Sequence, residues 1–170
     1  MERITVFSKR MKIFTAVLII LTWVSFAFVA FYNGIGSLLP VPKKIAFDLS
    51  GASTFSLVII YLLAAIKPAA YLPVLGYLYR LFGLYQQGIV FSAENIACIR
   101  KIGYSLMAID LVVIIQGALT GPVLSVLGVT ERYFTLSLGS SFLIVGLFIV
   151  LVSHVMEMGR ELQEYNKLVI

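Results

Sequence analysis

From Ile13 to Tyr32 the chain runs for 20 residues without a charge, and Phe134 to Ser153 does so again. A run of about 20 apolar residues is what a helix needs to cross some 30 Å of hydrocarbon with every backbone polar group satisfied internally. Between these two, the stretch from Leu49 to Tyr79 carries a single charge, Lys67, and the stretch from Ile102 to Leu124 carries only Asp110. Over 170 residues the chain is 61% apolar and 12% charged, where a soluble domain is roughly a quarter charged, so no water-facing surface can be built from it. The expectation is an all-α integral membrane protein: a single four-helix transmembrane bundle with an amphipathic helical extension at its C-terminal end.

The spans are expected at about 13–32, 55–79, 102–124 and 134–153, with outer loops at 33–54 and 125–133, an inner segment at 80–101 and a tail at 154–170. Basic residues before an apolar run also begin secretory signals, but the run after Lys12 is too long and lacks a small-x-small cleavage site, so it reads as a retained first span. Asn33, Gly34, Gly36, Pro40 and Pro42 break any helix beyond it.

The second span admits two registers. In one the helix passes through Lys67, kinks at Pro68 and ends near Tyr79; in the other it stops at Lys67, leaving Pro68 to Tyr85 as an interfacial helix. The first is preferred, because Tyr71 to Leu84 carries one charge, Arg80, and lacks the broad charged face of a surface-lying helix. Gln86, Gln87 and Gly88 mark a turn, and Ser92 stands where an N-cap belongs, with Glu94 favourably placed in the first helical turn.

Lys and Arg set the orientation. Nine fall on one side (Arg3, Lys9, Arg10, Lys12, Arg80, Arg100, Lys101, Arg160, Lys167) and three on the other (Lys43, Lys44, Arg132), which places both termini in the cytoplasm of a multi-pass cell-membrane protein. The same clustering accounts for the net charge of +5 without any direct nucleic-acid partner. Cys98 is the one cysteine, so no intramolecular disulfide can form.

Around the turn, Leu81-Phe82, Tyr85, Gly88, Phe91-Ser92, Glu94-Asn95-Ile96, Ile99-Arg100 and Ile102-Gly103 resemble the signature of a bacterial membrane family, domain of unknown function 2975 (DUF2975). The ending from Leu162 to Ile170 is similar to that family's ending, and the resemblance covers essentially the whole chain. It implies four spans with both ends inside and brings no established activity. Genes of the family often lie beside a small helix-turn-helix regulator, which points toward regulation. Lys167 and Val169 depart from the usual ending, which has a second acidic residue and a Thr there.

Three intramembrane polar residues are candidates for chemistry: Lys67, Asp110 and Gln116. An isolated charge at mid-bilayer costs at least about 2.5 kcal/mol, so Lys67 and Asp110 are expected to pair, either as a structural clamp or as part of an ion or proton path. His154, Glu157, Glu161 and Glu164 form one polar stripe opposite Val155, Met158, Leu162 and Tyr165. That pattern reads as an amphipathic helix rather than a metal site, since carboxylates a turn apart with one imidazole lack the closed ligand set of structural zinc. Gly34, Gly36, Gly51 and Gly88 read as loop flexibility. Gly117 with Gly121, a small-x-x-x-small motif, and Gly139 and Gly146 read as close helix packing.

No nucleophile with a base, no phosphate-binding loop and no Cys/His cluster is present, so neither an enzyme nor a cofactor is expected. The leading expectation is a regulatory or protein-interaction component acting through its cytoplasmic face, with Ser92, Glu94, Asn95, Arg100, Glu157, Glu161 and Glu164 as contact residues. Its partners would be the lipid bilayer and a cytoplasmic regulator or another membrane protein. The alternative is a small homo-oligomeric transporter or channel subunit using Lys67 and Asp110.

Overall fold

The computed structural model describes residues 2–32, 34–42, 44–45, 47–87, 92–136 and 141–168. The turn expected at Gly88, the cation Lys43, and Asn33, Phe91, Gly139, Val169 and Ile170 lie outside these residues. Among the described residues all regular structure is helical: α1 (Glu2–Tyr32), a 3₁₀ turn (Ile35–Leu38), α2 (Thr54–Gln86), α3 (Ala93–Val126) and α4 (Ser141–Leu168). The four α-helices hold 31, 33, 34 and 28 residues, and all are long and apolar enough to cross a membrane. At about 1.5 Å per residue each outruns the hydrocarbon thickness, so helix continues beyond the apolar runs.

That excess length is the main difference from the boundaries read in the sequence. α1 takes in the basic segment before Ile13, α2 continues past Tyr79 to Gln86, and α3 starts at Ala93, so residues 80–86 and 93–101, expected between spans, are helical. Charges at Arg80, Arg100 and Lys101 do not require the backbone to leave a helix, because long basic side chains carry their heads to water from a helical stem. α2 passes through Lys67, Pro68 and Pro73, which is the longer of the two registers. α4 begins at Ser141 rather than Phe134, and residues 131–136 carry no helix. That strand of chain is held by tertiary contacts, including a bond of 3.3 Å donated by the Thr135 hydroxyl to the Pro40 carbonyl.

Helix ends follow local chemistry. The amide of Asn95 donates to Ser92 Oγ at 3.2 Å, the N-cap expected for α3. At the other end of α3, Val129 N–H donates to Leu124 O and Gly128 N–H to Ser125 O, both at 3.1 Å, with Gly128 at φ 71°. This is a Schellman termination, in which glycine takes the left-handed position and the residue beyond it packs back on the helix. Leu124 and Val129 are accordingly both buried in one cluster.

Packing groups the residues into two compact units, with α1, α2 and α3 each contributing to both. One comprises residues 21–70 and 109–140. Its core is Ile35, Leu39, Ile60, Leu63, Ala64, Leu124 and Val129, so the loop after α1 folds onto α2 and the end of α3. Gly36 belongs to that packing rather than to flexibility: a Cβ there would lie 2.7 Å from the Phe47 ring. Asp48 N–H donates to Val129 O at 3.3 Å, joining the two loops. The other unit comprises residues 1–20, 71–108 and 141–170 and carries most of the charge.

Candidate functional site

Within the unit formed by 1–20, 71–108 and 141–170, α3 and α4 run antiparallel at close range. Gly103 meets Gly146 and Val150, and moving along both helices in opposite directions brings Arg100 to Ser153 and Glu157. A Cβ on Gly103 would stand 2.8 Å from Gly146 O, and one on Gly146 would stand 2.6 Å from Gly103 O, so neither position has room for a side chain. Small residues at a crossing let backbones approach to this range, as expected for Gly146; Gly103 is its unforeseen counterpart.

One helical turn from that crossing is a polar cluster. The Arg100 guanidinium donates to a Glu157 carboxylate oxygen, and its Nε donates to Ser153 Oγ at 3.5 Å. Ser153 is fully buried and its hydroxyl donates back to Val150 O at 2.7 Å. Ser153 lies four residues before Glu157, and that spacing on one helix face was the available sequence signal for it. Arg100 and Glu157 are each about a third exposed, so the pair contributes about 1 kcal/mol at most. Its role is to fix the azimuth of α4 on α3.

The remaining face residues separate. Asn95 is buried at the first turn of α3, Ser92 caps that turn, and Glu94 is exposed. Glu164 pairs with Arg160 one turn away, and Glu161 is exposed. His154 Nδ1 lies 3.3 Å from Val150 O. The stripe thus divides between a contact to α3 and a contact within α4, and among the described residues no His, Cys, Asp and Glu groups converge as metal ligands do. Two aromatic contacts had no sequence signal: the ammonium of Lys101 stands 5.6 Å from the Tyr77 ring centre, and that of Lys12 stands 4.8 Å from that of Tyr79.

The intramembrane candidates lie in the unit formed by 21–70 and 109–140. Gln116 is buried, and its amide donates to the Leu63 carbonyl of α2 at 2.7 Å. Leu63 O neighbours the carbonyl of Ala64, which loses its helical donor because Pro68 has no N–H. One turn on within α3, the buried Thr120 Oγ1 donates to Gln116 O at 2.6 Å. Gly121, expected to admit another helix, instead admits a loop: a Cβ there would fall 2.1 Å from Tyr133 O.

Lys67 and Asp110, expected to pair, differ in their surroundings, and the ion pairs seen among the described residues include Arg100 with Glu157 and Arg160 with Glu164. Asp110 is buried, whereas Lys67 is exposed although it follows Ile60 by seven residues and Leu63 by four, on the face that α2 buries. A flexible four-carbon stem lets the ammonium leave a packed face that its Cα shares, so helical register alone did not fix its partner.

No curated protein and no solved structure matches this chain. The family model described as protein of unknown function (DUF2975) matches residues 52–170. α1 and the loop that follows it therefore lie before the matched region, which is shorter than the whole-chain coverage the resemblance implied. The matched region contains α2, α3 and α4 with the Ser92 cap, the Gly103 and Gly146 crossing and the Arg100, Ser153 and Glu157 cluster, and on that match the chain belongs to the DUF2975 family, proteins of unknown function.

Proposed function

We propose that this chain is a multi-pass protein of the cell membrane, with both termini in the cytoplasm, that works as a regulatory or interaction component through the terminal turns of α4. One observation carries the reading. Val155, Met158, Leu162 and Tyr165 are spaced by three, four and three residues and are 57%, 56%, 64% and 67% exposed. An apolar stripe continuing from a span into a segment with Glu157, Arg160, Glu161 and Glu164 is the form of a helix that docks on a partner's apolar groove. The exposed Glu161 beside it favours a partner with basic residues flanking that groove.

The orientation rests on the distribution of cations. The nine Lys and Arg assigned to the inner side all belong to the unit formed by 1–20, 71–108 and 141–170, and Lys44, Lys67 and Arg132 belong to the other. The transport alternative has less support, because Gln116 is committed to the Leu63 carbonyl and Lys67 stands exposed.

The test is photocrosslinking in intact membranes from Met158 and Leu162, at native expression level, with mass spectrometry of the products. The expected result is one specific protein captured through these positions and lost on Leu162→Glu. Adducts only to lipid, or only to further copies through the spans, would overturn the reading.

A further inference from the structure

We propose that the groove between α1 and α2 binds an anionic phospholipid, with the phosphate held by Lys9 and Lys12 and one acyl chain lying along Ile13, Val17 and Ile20. The groove is open and has a volume of about 360 Å³. Its lining divides by chemistry along α1: the two lysines are followed by apolar residues at helical spacing, and Tyr79 and Gln86 of α2 close the opposite wall. From Lys9 to Ile20 the line measures about 16 Å at 1.5 Å per residue, enough for a headgroup followed by the first part of a chain.

The charged end is preorganised. Lys12 is half-buried with its ammonium over the Tyr79 ring, and a Cβ at Gly83 would sit 3.5 Å from that ammonium, so the small residue there leaves it room. Among the described residues no carboxylate lines the groove, so its lining charge is positive. A zwitterionic headgroup would bring its own cation to the same place. Ile13, Val17 and Ile20 are each more than half exposed on a helix long and apolar enough to span, so the floor adjoins hydrocarbon. A free phosphate gains nothing from such a floor, whereas a lipid uses both ends. A basic pocket between spans, opening on apolar surface, is the general form of anionic lipid sites.

The proposal does not depend on the partner reading above and is tested on the full chain in nanodiscs. Retention of phosphatidylglycerol and phosphatidylcholine would be compared by native mass spectrometry for the wild type, Lys9→Gln/Lys12→Gln and Lys9→Arg/Lys12→Arg. The expected result is preferential retention of phosphatidylglycerol, weakened about fivefold per lysine in the Gln variant and kept in the Arg variant. Photoactivatable phosphatidylglycerol should label the peptides carrying residues 9–20 and 79–86. Equal retention of the two lipids, retention unchanged in the Gln variant with helical content intact, or displacement by millimolar inorganic phosphate would each overturn it, the last by identifying a site for a soluble anion. An Arg variant that binds no better than the Gln variant would also count against it, since the charge is then not what holds the lipid.

Discussion

Gly103 of α3 and Gly146 of α4 oppose each other so closely that a methyl on either would meet the other's carbonyl oxygen at 2.8 Å or less. The contact is reciprocal, and it sets the distance at which Arg100 can reach Glu157 further along the pair. Gly146→Ala and Gly103→Ala should each destabilise the protein by about 1–3 kcal/mol, the usual cost of overpacking a site that cannot relax. Thermal unfolding in detergent checks this. A spin-label distance across α3 and α4 should lengthen in both variants.

Arg100 and Glu157 should couple weakly. A double-mutant cycle with Arg100→Gln and Glu157→Gln is expected to give about 0.5–1 kcal/mol, falling as salt rises, because both groups are part-exposed. A coupling near zero at low salt would show that Ser153 and the glycine crossing alone fix α4.

Replacing Gln116 by Leu keeps the side chain's bulk and removes the interhelical donor to Leu63 O. The expected loss is about 1 kcal/mol, in the range of interhelical hydrogen bonds in membranes. Chemical denaturation of the reconstituted protein measures it.

Asp48 is exposed in the loop before α2 and accepts the Ser50 amide at 2.8 Å, which holds its carboxyl below the usual value of 3.8. A depressed folded-state value means the contribution of this turn is present above the unfolded value and disappears as pH falls through the folded one. Carboxyl-carbon NMR should therefore give an Asp48 midpoint under 3.8, and Ser50→Pro, which removes the donor, should raise it. Asp48 N–H also bonds Val129 O, so loss of the turn should show first in exchange at that amide.

Hydropathy and charge, by themselves, determined that there are four span-length helices, that α3 starts at a Ser92 cap and which residues belong to the charged end. Each follows from short-range physics: backbone groups in lipid must be bonded within their own helix, and a cap joins residues three apart. Helix ends were less legible, because Arg and Lys reach water from within a helix and so charge did not mark where the backbone stops. What only tertiary structure decided is which residues meet. Gly103 faces Gly146 and Gly121 faces the Tyr133 loop although both glycines sit in similar apolar surroundings, and Lys67 stays exposed while Gln116 takes a carbonyl of α2. Pairings across helices depend on azimuth and on where long side chains lead, and a difference of one side-chain length decides them. That geometry has no counterpart in the spacing of residues along a single chain.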